Sequence, residues 1–270
     1  MNGKYRALRR LNGSGEGTVW LVERGGRRYA AKALRSDREA ELLASLSHPA
    51  IPAFVEVCGS EEGPVLIMEH ISGRRLSRYP MPRSQLWALS RAIRLAEVLA
   101  YLHQQGVVHR DVKPDNIICR PGGHVALLDL GSARRLGDAQ ESPATVGYAA
   151  PEQYRIRGRE PSAVDGRADI YALGVVLHEL VTGCEPPQAG KRPRPIRSID
   201  PDLSPELERI VRRCTCAAPE DRYQTMEALL AGLRGCAGRM KLELCKLGML
   251  AGLGLSAAAL LRHMNKWQEV

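Results

Sequence analysis

The chain has 270 residues, 39 Lys+Arg against 30 Asp+Glu for a formal charge of +9, and a single Phe. With 44% hydrophobic and 26% charged residues it reads as globular, which excludes wholesale disorder and a multi-span membrane protein. The charge suits an anionic partner, but the 4% of aromatics argues against nucleic acid, whose single strands bind on stacking platforms. Cys58, Cys119, Cys184, Cys214, Cys216, Cys236 and Cys245 lack zinc-finger spacing, so reduced, mostly buried thiols in a cytosolic setting are expected. The first six residues lead into polar sequence, and no secretory signal is expected.

In chain order, the first 70 residues read mainly as strand. Strand patterns over 18–23 and 27–34 flank Gly25-Gly26, a dipeptide that supplies positive φ and so predicts a hairpin. Ser36-Asp37 opens a helical pattern with Leu42, Leu43 and Leu46 on one face, closed by His48-Pro49. Residues 65–68 are a short apolar strand. From residue 84 the period changes: Leu86, Leu89, Ile93, Ala96, Leu99, Ala100 and Leu102 predict a helix. Further helices are expected over 170–182, 205–214 and 225–233, with an exposed Pro/Arg-rich loop over 186–197. A strand-rich part followed by a helix-rich part predicts an α+β fold with a cleft between two lobes.

The densest chemistry lies in His109-Arg110-Asp111-Val112-Lys113-Pro114-Asp115-Asn116. One loop presents an acid, a lysine and an asparagine. Phosphoryl transfer needs such groups: a carboxylate near the attacking hydroxyl, a cation for the moving phosphoryl, and an oxygen ligand for Mg²⁺. Downstream, the apolar run 125–128 ends in Asp129-Leu130-Gly131, a carboxylate followed by a glycine that lets the backbone turn sharply. Lys32, at the end of a strand, offers a fixed amine for ATP phosphates.

On these residues the chain resembles a eukaryotic-type (Hanks-type) serine/threonine protein kinase of the kind found in bacteria. The catalytic-loop signature matches at 109–116, and the Asp-Phe-Gly signature matches at 129–131 with Leu130 for Phe. Ala150-Pro151-Glu152 matches the Ala-Pro-Glu motif, Asp169 opens a family helix, and Arg222 resembles the arginine that pairs with its glutamate. The similarity covers about residues 5–235.

The resemblance implies a bilobal protein-kinase-like fold: a small β-rich N-lobe (1–70), a larger helical C-lobe (71–235) and a tail (236–270). It implies Asp111 as the catalytic base, Lys113 on the γ-phosphate, and Asn116 and Asp129 on Mg²⁺, with Mn²⁺ as an alternative ion. Lys32 would bind the α- and β-phosphates and pair with Glu39, although only six residues separate them and Glu41 is the alternative partner. Val19, Ala30 and Ile118 would sandwich the adenine, with Glu69, His70 and Ile71 after Met68 as the hinge. The glycine-rich pattern falls on Asn12, Ser14, Gly17 and Val19, with Gly13 and Gly15 between; there is no Walker motif.

His109 is expected to be packed and structural, and Glu152 with Arg222 to be a buried ion pair. Phe54 is expected in a stack with Leu43, Leu130 and His109. Lys113 and Thr145 point to serine/threonine acceptors, and Ser142, with Arg110, to an activating phosphorylation. The implied activity is transfer of the ATP γ-phosphoryl to protein hydroxyls, with autophosphorylation. The alternatives are a scaffolding pseudokinase and a small-molecule phosphotransferase. Expected partners are a protein substrate and ATP, with no nucleic acid.

The tail carries an uncharged run over 247–261. As one helix those fifteen residues rise about 22 Å, short of a ~30 Å hydrocarbon core unless the span extends back to Leu242. Gly248-x-x-x-Gly252 is a close-packing face of membrane helices. Two readings stand: a membrane anchor on a cytoplasmic protein, with membrane contact and dimerisation through this segment, or a helix packed on the large lobe or a partner.

Overall fold

A computed structural model describes residues 4–11, 18–34, 36–61, 63–138, 146–154, 164–188 and 191–252. Gly25 and Gly26 both take positive φ (57° and 74°) and close the predicted hairpin between β2 (Val19–Arg24) and β3 (Arg27–Ala33). β2 also pairs with β1 (Arg6–Arg10), whose five exposed residues gave the sequence no apolar alternation to show. β4 (Phe54–Ser60) and β5 (Gly63–Glu69) complete an antiparallel sheet in the order β1-β2-β3-β5-β4.

Register decides what this sheet presents. Val19 pairs with Lys32 and Lys32 with Leu66, while Leu21 pairs with Ala30 and Ala30 with Met68. Directly paired residues share a face and faces alternate along a strand, so Val19, Leu21, Ala30, Lys32 and Met68 stand together. The opposite face buries Val22, Ala31, Val65 and Ile67 under Tyr5. Between β3 and β4 lies α1 (Arg38–Ala44), seven residues long, burying Ala40, Leu42 and Leu43.

Below the sheet, β6 (Arg74–Arg75) leads to α2 (Gln85–Gln104), capped by the Ser84 hydroxyl accepting from the Trp87 amide. Short strands follow: β7 (Val107–Val108), β8 (Ile117–Cys119), β9 (Val125–Leu127) and β10 (Arg134–Arg135). β6, β8 and β9 form one small sheet, and β7 pairs with β10. Gly73 is required before β6: a side chain there would run into Ile118 Cγ2 and lie 2.5 Å from the Cys119 carbonyl oxygen. α3 (Arg167–Thr182) is apolar on nearly every side and buried, as a central helix must be. α4 (Pro205–Cys214) crosses it where Gly174 lets Cys214 approach. The main core joins Leu42, Leu43 and Leu66 of the upper part to Leu99, Leu127, Leu130, Ile170 and Leu173 below.

Three expectations change. The helix expected over 225–233 is α5 (Met226–Gly252), running on as one helix across residue 235. It is held to the body by Gln104–Glu227, Arg234–Glu97 and Arg239–Glu206 contacts, and among its described side chains Met240 is the last that is buried. Among the described residues, no helix is long and apolar enough to cross a membrane.

Second, Phe54 does not join the stack expected of it. It is 36% exposed on β4, whereas Leu43, Leu130 and Ile51 lie in the main core. The pairing of β4 with β5 shifts register between Phe54 and Glu56, and an extra residue re-aims the side chains around it. Third, only Cys119, Cys214 and Cys236 of the free thiols are buried, and Cys245 is exposed. The described part of the loop over 186–197 is largely exposed, as expected, and hydrogen bonds hold it: Arg192 donates to the Thr215 and Arg212 carbonyls, and His178 bonds the Arg194 carbonyl.

Candidate active site

Two polar clusters meet between the sheet and the helices. The first centres on Lys32 of β3, 7% exposed. Its Nζ donates to Glu39 Oε1 at 2.7 Å and to Asp129 Oδ1 at 2.6 Å. The short spacing between Lys32 and Glu39 is therefore no obstacle: α1 begins at Arg38 and delivers Glu39 in its first turn. Asp129 follows β9 with φ of 60°, a left-handed conformation that turns its carboxylate back toward the sheet. The Gly131 amide donates to Asp129 Oδ1 at 3.0 Å. A Cβ on Gly131 would sit 3.1 Å from Asp129 Oδ1 and 3.3 Å from Lys32 Nζ, so the glycine makes room for the ion pair.

Burial works against every charge in this cluster, and partners decide the outcome. For Lys32, burial is outweighed by Glu39 and Asp129, which hold its pKa above the ordinary lysine value. For Asp129, burial is outweighed by Lys32 and the Gly131 amide, and its pKa falls. For Glu39, burial wins over Lys32, the Asp129 charge adds to it, and its pKa rises.

The second cluster is the loop between β7 and β8. Asp111 is 7% exposed, Lys113 Nζ lies 2.8 Å from Asp111 Oδ2, and Asn116 Nδ2 donates to Asp111 Oδ2 at 2.9 Å and to its carbonyl at 3.0 Å. The loop is strained, with Arg110 at φ 68°, and it is held from below. The fully buried Asp169 of α3 accepts from the His109 amide at 2.9 Å and the Arg110 amide at 2.8 Å. His103 Nε2 bonds the same carboxylate at 2.8 Å. Burial would raise the Asp169 pKa, but the His103 bond and charge, the His109 charge and the Arg110 amide together lower it.

His109 joins the two clusters. Its ring is fully buried; Nε2 bonds the Leu128 carbonyl at 3.1 Å and Nδ1 accepts from the Asp111 amide at 3.3 Å. The Leu128 amide in turn donates to the Asn116 carbonyl at 2.8 Å. This is the packed role expected of His109. Nearby, Arg222, with no exposed surface, meets Glu152 through two 2.7 Å bonds, and Gln153 Nε2 donates to the Arg110 carbonyl.

Of the expected adenine contacts, Val19 and Ala30 share the face of Lys32. Ile118 and Ile71 pack with Ala126 in a separate small cluster. Met68 is half-buried, Glu69 ends β5 exposed, and His70 follows it with its pKa lowered by burial and by the charges of Arg9 and Arg28. Asn12, Gly13, Ser14, Gly15 and Gly17 lie outside the described residues, as do Ser142 and Thr145. Three supports were not legible beforehand: His103, Gln153 and the closeness of Gly131 to Lys32. Each acts across long sequence separations, and none belongs to a local pattern.

Comparison with known proteins agrees with this geometry. Residues 26–231 match the family model described as "Protein kinase domain". A probable serine/threonine-protein kinase of Streptomyces coelicolor is 30% identical over 96% of this chain and 43% of its own length. Serine/threonine-protein kinase PknB of Mycolicibacterium smegmatis is 35% identical over 74% of this chain and 35% of its own. The chain thus spans less than half the length of these curated relatives. The crystal structure of the Mycobacterium tuberculosis PknI kinase domain superposes with a TM-score of 0.68 at 28% identity, covering 86% of this chain and 96% of that one. The chain belongs to the protein kinase family and carries a bilobal Hanks-type serine/threonine kinase domain of the bacterial kind.

Proposed function

We propose that this chain transfers the γ-phosphoryl group of ATP to serine or threonine hydroxyls of proteins, itself included, through the cleft between an N-lobe (1–70) and a C-lobe (71–235). The observation that carries the reading is Lys32 held at once by Glu39 and Asp129, beside a loop in which Asn116 and Lys113 both reach the Asp111 carboxylate. Positioning and charge are what phosphoryl transfer asks of a protein.

In this reading Asp111 takes the proton from the acceptor hydroxyl, and Asn116 fixes the angle of its carboxylate. Lys113 shifts from Asp111 toward the moving phosphoryl, and Lys32 steadies the α- and β-phosphates while Glu39 keeps its amine in place. Val19, Ala30 and Ile118 flank adenine, with Met68, Glu69 and Ile71 along its edge; Asn12, Gly13, Ser14, Gly15 and Gly17 are assigned to ATP by the glycine-rich pattern of their sequence.

The donor set fits Mg²⁺. Asn116 spends its amide hydrogens on Asp111 and so has its oxygen as acceptor, and Asp129 adds a carboxylate. Hard oxygen donors in small number suit an ion that completes its shell with phosphates and water. Bound Mg²⁺ would neutralise charge on the phosphates.

Incubating the protein with labelled ATP, Mg²⁺ and a generic basic protein tests the activity. Asp111→Asn should reduce labelling by about 10²–10⁴-fold, the range for loss of a general base; equal labelling by both proteins sinks the reading. The tail is read as an anchor that keeps the kinase beside a membrane, since α5 runs past Met240 toward the apolar run 247–261. The full chain should then sediment with membranes and a 1–240 truncation should not; equal distribution rules the anchor out.

A further inference from the structure

The net charge is not spread evenly. Residues 70–96 hold six arginines (Arg74, Arg75, Arg78, Arg83, Arg91, Arg94) and no Lys, Asp or Glu, so this stretch carries +6 of the chain's +9. The fold turns part of this run into a continuous ladder. The Arg74 guanidinium lies 4.6 Å from the Tyr79 ring, Tyr79 lies 5.3 Å from Trp87, and Arg83 and Arg91 lie 4.9 and 4.2 Å from the Trp87 ring. Arg91 reaches toward Gly123, in the turn joining β8 to β9, which also bears the exposed Arg120 and His124.

An arginine stacked by its face keeps its donors on the in-plane edge, where they point away from the ring and match carboxylates in pairs. Stacking on Tyr79 and Trp87 has already restricted these side chains, so a ligand need not order them. Arg74 Nη2 donates to the Arg78 carbonyl, and among the described residues no carboxylate lies within 4 Å of Arg74 or Arg91. Arg91 shows the same thing electrostatically: burial and the charge of Arg83 lower its pKa, while the groups opposing them are Cys119 and Tyr79, not a carboxylate.

The residues next to the ladder's first arginine reach the loop at 109–116. β6 pairs Arg74 with Cys119 and Arg75 with Ile118. Arg75 Nη1 donates to the Asp115 carbonyl at 2.5 Å, and the Ser77 hydroxyl donates to Asp115 Oδ1 at 2.7 Å. Asp115 adjoins Asn116, so Arg75, the neighbour of Arg74 on β6, ties the cationic run to the loop that receives the acceptor hydroxyl.

We propose that this arginine ladder is a docking surface for an acidic segment of the protein substrate, flanking the residue that is phosphorylated. The proposal rests on the kinase reading for its word "substrate". A protein segment is favoured over a membrane or a nucleic acid because Arg75 of the same run is bonded to the catalytic loop, where a bound substrate chain must pass.

The test uses the full chain and two peptides: a serine-containing acceptor peptide, and the same peptide with a short polyglutamate tail. The tail should lower KM by about tenfold at low salt with kcat unchanged, as expected for a few exposed charge pairs acting together. The gain should disappear at high salt, where exposed charges are screened. It should also disappear in the combined variant Arg74→Glu, Arg78→Glu, Arg120→Glu, whose exposed side chains leave phosphorylation of the untailed peptide unchanged. A milder variant with Gln at the same three positions should lose most of the gain, and its thermal melt should match the wild type.

Absence of any gain from the tail, or a gain that persists in the variants, overturns the proposal. Fluorescence anisotropy of the tailed peptide without ATP separates the two readings. Binding to wild type and not to the variant, with neither peptide phosphorylated, keeps the docking surface and removes the kinase. Preferential binding of phosphatidylserine vesicles or of single-stranded oligonucleotide over the tailed peptide overturns the acidic-segment reading.

Discussion

Lys32 has two carboxylates on one amine, and that arrangement has consequences in both activity and titration. Replacing it by methionine removes the cation proposed to hold the ATP phosphates, and phosphoryl transfer should fall by at least about 100-fold, as when a preorganised charge is lost. Glu39 and Asp129 would then face each other partly buried and uncompensated, a loss of about 3 kcal/mol in urea unfolding. In the wild type the lowered pKa of Asp129 means its contribution is complete above about pH 3.9 and is lost as pH falls toward the folded value. Glu39 is the reverse: its raised pKa makes the folded state gain stability as pH falls through that value. Without Lys32 both carboxylates move upward, so Lys32→Met should become more stable between pH 7 and pH 5, measured by urea titration at each pH. A variant equally stable at both would mean that the lysine is not what holds the two charges.

At the scale of elements, the catalytic loop depends on a helix that contributes nothing to its sequence. α3 places Asp169 under the amides of His109 and Arg110, and α2 places His103 on the same carboxylate. Asparagine at 169 has one acceptor oxygen where the carboxylate has two, so one amide would meet an NH₂ group. Asp169→Asn should cost about 2–3 kcal/mol, the size of an unsatisfied buried group, and lower kcat with little change in the KM for ATP. Because the native Asp169 pKa is depressed, its stabilisation disappears as pH drops below about 3.9. The variant has nothing to lose there, and its acid unfolding curve should be the shallower of the two. Equal acid profiles would place the anchoring elsewhere.

For the whole molecule, the buried pair of Arg222 and Glu152 ties together segments seventy positions apart. Arg222 also donates to the carbonyls of Arg167, Cys216 and Ala217, so one side chain satisfies three backbone groups as well as a carboxylate. Removing it with Arg222→Ala leaves Glu152 buried and alone, and should cost about 3–5 kcal/mol. Hydrogen exchange of residues 147–154 should rise with it. A stability loss without faster exchange in that stretch would argue that the pair supports α3 and not the segment bearing Glu152.

What was readable beforehand followed from local chemistry. Gly25-Gly26 announced its hairpin because few residues tolerate that backbone, and α2 announced itself through a 3.6-residue apolar period. The loop at 109–116 was legible because an acid, a lysine and an asparagine fall within six residues of one another. β1 was not, being exposed on both faces, and neither was the full length of α5, which is held by ion pairs of Arg234 and Arg239 with α2 and α4. Phe54 was misplaced because a bulge in β4 re-aims its side chain, and nothing in the residues themselves marks the bulge. The arginines of 70–96 were visible as composition only. That two rings align three of them, while Arg75 bonds the loop at Asp115, was decided by the packing of β6, α2 and the β8–β9 turn, since stacking geometry depends on distances that sequence spacing does not set.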